Sequence, residues 1–103
     1  MSLIEEKEYK RGEIMKVFKY PVRVNKREVV KLPLGAKPLS IAFQYDQVYL
    51  YALVDPNELQ TEPFDILVAG TGEPLPTDMA TFNYLNTIQM FNQQWNLHGF
   101  YKK

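Results

Sequence analysis

Leu39-Ser40-Ile41-Ala42-Phe43-Gln44-Tyr45, a break at Asp46-Gln47, then Val48-Tyr49-Leu50-Tyr51-Ala52-Leu53-Val54: this stretch decides the fold. In the first half Leu39, Ile41, Phe43 and Tyr45 alternate with Ser40, Ala42 and Gln44, the period of two that marks a half-buried strand. Asp46-Gln47 is short enough for a hairpin turn. The second half is apolar on both faces, Val48, Leu50, Ala52 and Val54 against Tyr49, Tyr51 and Leu53. Such a strand is central and covered on both sides, or its outer face meets a partner.

The same period extends outward. Residues 16–22 set Phe18, Tyr20 and Val22 against Val17 and Lys19, with Pro21 marking an edge or a strand end. Residues 27–32 set Val30 and Leu32 against Arg27, Val29 and Lys31, and Leu32-Pro33-Leu34-Gly35 interrupts the chain. Asp55-Pro56-Asn57 stops the strand before it, and residues 64–69 form a fifth strand. Gly70 to Pro76 is too rich in Gly and Pro to be regular. A short helix fits residues 77–82, capped by Thr77 or Asp78. Residues 81–91 and 94–101 form a last pair joined by Asn92-Gln93. Seven short strands at roughly ten-residue spacing predict an all-β fold, a small antiparallel β-sandwich or barrel. The expected core is Phe18, Tyr20, Val30, Leu32, Leu39, Ile41, Phe43, Leu50, Ala52, Val54, Ile66, Val68, Ile88, Trp95 and Leu97.

Composition bounds the function. The 103 residues suffice for one domain, and 46% hydrophobic and 14% aromatic residues suffice for a core. There is no cysteine, which removes thiolate metal sites and cysteine nucleophiles and fits a reducing, cytoplasmic setting. No apolar run approaches the ~18 residues of a membrane span. Formal charge is zero but unevenly spread. Lys16, Lys19, Arg23, Lys26, Arg27, Lys31 and Lys37 precede a long stretch in which Asp46, Asp55, Glu58, Glu62, Asp65, Glu73 and Asp78 stand without a base. The two ends suit solvated strand faces, or attract each other within or between subunits. At the nucleotide level, Lys10-Arg11-Gly12-Glu13 can encode a purine-rich ribosome-binding sequence ahead of Met15. Residues 1–14 are therefore expected as translated leader or mobile extension, and residues 15–103 as the β domain.

Three runs carry a resemblance: Leu32 to Leu39, Tyr51 to Pro56, and Val68 to Pro76, with an opening Met15-Lys16-Val17-Phe18-Lys19-Tyr20. Together they resemble an uncharacterised domain family common in phages and prophages, over nearly all of residues 15–101. The resemblance implies a viral or mobile-element setting and no known activity. Family members often carry Trp where this chain has Tyr51, and His where it has Glu73.

No catalytic constellation emerges. His98 is the only histidine and is expected as an ordinary strand residue opposite Trp95 and Leu97; no carboxylates are near it in sequence for a metal site. The Gly70-Thr71-Gly72 loop lacks the Lys or Arg of a phosphate cradle, so a turn with positive φ at Gly70 or Gly72 is expected. Uncharged amides beside aromatics make interface material, which singles out Gln89, Gln94, Trp95 and Asn96 together with Tyr49 and Tyr51. Lys16, Lys19, Arg23, Lys26 and Arg27 form a weaker anion-binding candidate; nucleic acid is disfavoured by the acidic remainder. The expectation is a non-enzymatic accessory protein, without cofactor or metal, that binds a host or phage protein and extends naturally to a homodimer. A small-molecule or nucleotide-sequestering protein, using the basic strands and the amide-rich pair, is the alternative; a virion component is another.

Overall fold

In a computed structural model, residues 14–91 and 94–103 are described. They form seven strands: β1 (Lys16–Val22), β2 (Glu28–Pro33), β3 (Lys37–Gln44), β4 (Gln47–Val54), β5 (Thr61–Gly70), β6 (Asn83–Met90) and β7 (Trp95–Lys102). All pairings are antiparallel. They divide into a three-stranded sheet, β1-β4-β3, and a four-stranded sheet, β2-β5-β7-β6. The fold is thus all-β with two separate sheets, sandwich-like, and no strand is shared between them. The turn expected at Asn92-Gln93, and all of the expected leader (residues 1–14) except Ile14, lie outside the described residues.

The core lies between the sheets. Leu50, Ala52 and Val54 of β4, Ile41 of β3, Phe64, Ile66 and Val68 of β5, Leu32 of β2 and Leu97 of β7 are fully enclosed. Tyr20, Val30 and Ile88 pack against them from the margin. The two-sided apolar strand is central in its sheet, as its pattern requires.

Four expected core residues are instead substantially exposed: Phe18, Leu39, Phe43 and Trp95. Phe18 is on β1, the far edge strand, whereas the first sheet meets the second through β3. Leu39 falls at a register shift between Pro38 and Ser40, which turns Pro38 inward and Leu39 outward. Phe43 and Trp95 line the mouth of a cavity described below. Tyr45 also leaves the core side. The hairpin turn is Tyr45-Asp46, one residue earlier than expected, with φ of 52° and 59° and Gln44 paired to Gln47. Two consecutive positive φ values give the twist that suits a two-residue hairpin, and they leave Tyr45 84% exposed.

The sheets are joined at β3 and β6. Leu85 and Asn86 together oppose Gly99, a bulge between the pairs Tyr84–Phe100 and Thr87–His98. The bulged Asn86 accepts from Ile41 N at 2.8 Å and donates to Ile41 O at 3.0 Å. It therefore satisfies main-chain groups on the open edge of β3, a row that would otherwise invite pairing with another chain.

Leu67 and Ala69 face away from the core and are nonetheless buried. Residues 71–82, returning from β5 to β6, are anchored on that face. Asp78 accepts hydrogen bonds from Arg27 at 3.0 and 3.1 Å and from Lys102 at 2.7 Å, and Asp65 accepts from Arg27 at 2.7 Å. Both cations also lie over the Phe82 ring, at 5.0 and 5.2 Å. The segment holds one 3₁₀ turn, Met79–Thr81, where a short helix was expected; Asp78 precedes it without a side-chain cap bond. Gly72 adopts φ of 87°, the positive-φ turn expected of this loop. The base-rich and acid-rich parts of the chain thus pair within the molecule, through Arg27 with Asp65 and Asp78.

Candidate functional site

The outer face of β1-β4-β3 has no such roof among the described residues. Directly opposed residues of antiparallel strands share a face. Tyr51 therefore lies between Lys19 and Ser40, Tyr49 between Pro21 and Ala42, and Leu53 between Val17 and Lys37. Lys19 Nζ sits 4.5 Å from the centroid of Tyr49 and 5.7 Å from that of Tyr45, and donates to Gln44 Oε1 at 3.1 Å. The Tyr51 hydroxyl donates to the same oxygen at 3.4 Å. Tyr49, Tyr51 and Leu53 are half-buried, while Val17 at the edge is 56% exposed. The result is an aromatic and aliphatic surface on which, among the described residues, lysines are the only charges.

Gln89, Gln94, Trp95 and Asn96 are not brought into one face. Gln89 and Asn96 are partners on the outer side of the four-stranded sheet, whereas Trp95 pairs with Met90 on the inner side. Gln94 is exposed, and its N–H donates to Phe91 O. Asn96 Oδ1 is buried with no hydrogen-bond partner among the described residues.

The basic candidates are dispersed as well. Lys16 and Lys19 lie on β1, with side chains on opposite faces. Lys26 is exposed before β2. Arg27 is tied to Asp65 and Asp78, and this pairing raises its pKa further above its already high value. Arg23 borders the cavity. Among the described residues no continuous cationic row results. His98 sits in β7 with both ring nitrogens engaged, Nε2 with Thr71 Oγ1 at 2.6 Å and Nδ1 with Thr87 Oγ1 at 2.8 Å. The ring ties the start of the roof to β6. Among the described residues no group of three or more His, Cys, Asp or Glu is placed to hold a metal ion, and no helix is long and apolar enough to cross a membrane.

Sequence patterns gave no sign of the cavity. It opens where the Tyr45-Asp46 turn faces the β6–β7 end, floored by Val22, Val48 and Met90 and walled by Phe43, Phe91 and Trp95. Phe91 and Trp95 are stacked, 6.0 Å apart and 11° from parallel, and Phe43 meets Phe91 edge-on at 6.3 Å. Phe91 itself adopts a φ of 51°.

Fold and surfaces together define a small two-sheet β domain in which, among the described residues, one outer face is roofed by its own chain and the other is open. The chain belongs to a family described as a domain of unknown function, DUF7352, whose match covers residues 14–103. No curated protein and no solved structure matches it.

Proposed function

We propose that this domain is a non-enzymatic accessory protein of a phage or prophage that binds a host or viral protein through the outer face of β1-β4-β3. The observation that carries the reading is the contrast between the sheets. The four-stranded sheet buries Leu67 and Ala69 on its outer face, where its own connection is anchored; among the described residues no segment crosses the outer face of the three-stranded sheet, where Tyr49, Tyr51 and Leu53 are half-buried and Val17 is exposed. Tyr51, whose hydroxyl reaches Gln44, and Tyr49, whose ring lies under Lys19, suit an interface, because each already has a neighbour that restrains it before binding. Lys19 and Lys37, with no acid on the face among the described residues, favour a partner that presents carboxylates around an apolar patch. The viral setting rests on the resemblance of the Leu32–Leu39, Tyr51–Pro56 and Val68–Pro76 runs.

The test is capture from host and infected-cell extracts with the full chain, repeated with Tyr51→Ala, Tyr49→Ala and Phe43→Ala. The reading expects one acidic partner whose affinity falls at least about 30-fold, the scale of a hot-spot loss of about 2 kcal/mol, with either tyrosine variant but not with Phe43→Ala. A partner retained by both folded tyrosine variants would overturn the assignment of this face. Recovery from purified particles would make the partner a structural protein of the virion.

A further inference from the structure

The cavity between the Tyr45-Asp46 turn and the Phe91/Trp95 wall is separate from the open tyrosine face, and its chemistry is different. Its volume is about 470 Å³, within the range of about 300–1,000 Å³ typical of small-molecule sites. One wall is aromatic: the Phe91–Trp95 stack offers a flat surface, with Phe43 against its edge. Arg23, Asp46 and Gln47 also line it. Gln47 Nε2 is committed to Val22 O and Val48 O, at 3.0 and 2.9 Å, which leaves its Oε1 as an acceptor. The Arg23 guanidinium and the Asp46 carboxylate have no hydrogen bond or ion pair among the described residues, not even with each other. The cavity therefore combines a stacking platform, one cation and two acceptor groups.

Each part constrains the ligand. The platform takes a planar ring. Arg23 takes an anionic group, and matches phosphate best because its donors form a fork. Asp46 and Gln47 Oε1 take N–H donors such as a ring-borne amine. A plain aromatic acid would leave the two acceptors unanswered, and a free base would leave the guanidinium unanswered. We propose that this cavity is a binding site for a mononucleotide, its base stacked on Trp95 and Phe91, its phosphate on Arg23, and its base N–H groups toward Asp46 and Gln47. An aromatic amino acid carries similar groups but has fewer atoms with which to fill a cavity of this size.

Trp95 is the only tryptophan in the chain, so fluorescence excited at a wavelength that tyrosine does not absorb reports on this wall alone. The full chain is titrated with AMP, GMP, CMP and UMP, and then with the corresponding nucleosides, tryptophan-free aromatic amino acids and a short single-stranded oligonucleotide. The proposal expects saturable quenching by at least one mononucleotide, weakened tenfold or more for its nucleoside and in Arg23→Ala, and unchanged in Tyr51→Ala. Arg23 is exposed and only its main-chain N–H bonds to Glu28, so the variant retains that structural contact; circular dichroism checks the fold. Absence of saturable quenching at millimolar mononucleotide would overturn the proposal. So would equal affinity in Arg23→Ala, or a preference for aromatic amino acids or for the oligonucleotide alone.

Discussion

Asn86 holds both main-chain groups of Ile41 at once, accepting from its N–H at 2.8 Å and donating to its carbonyl at 3.0 Å. A single side chain thereby does the work of a strand partner where the two sheets meet. Replacing it with Leu removes both bonds and leaves a donor and an acceptor in a partly buried place. The expected loss is about 1–3 kcal/mol, the cost of stranding such groups, read as a lower urea midpoint at unchanged slope. Asn86→Asp keeps the acceptor and loses the donor, so it falls between. An undiminished midpoint in Asn86→Leu would mean that the β3 edge is satisfied in another way.

Gly99 belongs to the same junction. A Cβ there would lie 3.0 Å from Cγ1, Cγ2 and Cδ1 of Ile41, a buried side chain with little room to retreat. Gly99→Ala is expected to destabilise by about 1–3 kcal/mol through overpacking. Shortening the opposing residue should relieve part of this, so Ile41→Val and Gly99→Ala should combine to less than the sum of their separate costs. Strict additivity would show that the two residues do not press on each other.

Much of this architecture was legible in the chain, and the failures have local causes. Alternation in residues 48–54 identified the central strand because every inward position there is apolar and no bulge breaks the phase. In β3 the same alternation misplaced Leu39 and Tyr45, because a one-residue slip at Leu39 and a turn at Tyr45-Asp46 change which face a residue takes. Alternation is blind to such events, since neither residue type announces them. The outward position of Tyr49 and Tyr51 was legible because they sit on a regular strand. The cavity was not, because its lining comes from the ends of five strands, β1, β3, β4, β6 and β7, and the residues beside them. Arg27 looked like one of a basic row; its partners Asp65 and Asp78 are 38 and 51 residues away, beyond what spacing can reveal.

The Arg27–Asp78–Lys102 cluster makes stability depend on acid. Hydrogen bonds from Lys102, then Arg27, hold the Asp78 carboxyl at about 2 instead of the ordinary 3.8. Its folded-state pKa is depressed, so its contribution is complete above pH ~4 and is lost as pH falls toward 2. The wild type should therefore lose stability across that interval faster than Asp78→Asn, whose amide does not titrate. Thermal unfolding between pH 2 and 5 checks this, and parallel curves for the two proteins would refute it. The cluster is solvent-accessible, so added salt should narrow the difference.

Tyr45 breaks a local rule, and where it does so points to function. It occupies the first central position of a turn that demands positive φ, where Asn, Asp or Gly is the low-cost choice. Left-handed backbone costs an ordinary L-residue roughly 1 kcal/mol, and this ring recovers little by burial, being 84% exposed. Its one described interaction is with Lys19, 5.7 Å from the ring centroid, which places it at the border of the open Tyr49/Tyr51 face. A strained, exposed aromatic kept in a turn is what a binding residue looks like when contact with a partner outweighs stability. Tyr45→Asn should therefore stabilise the domain by about 0.5–1 kcal/mol, raising the melting temperature, while weakening capture of the partner that Tyr51→Ala also loses. A destabilised Tyr45→Asn would mean that the ring supports the fold. A stabilised variant with undiminished capture would place the interface elsewhere on the sheet, away from the hairpin tip.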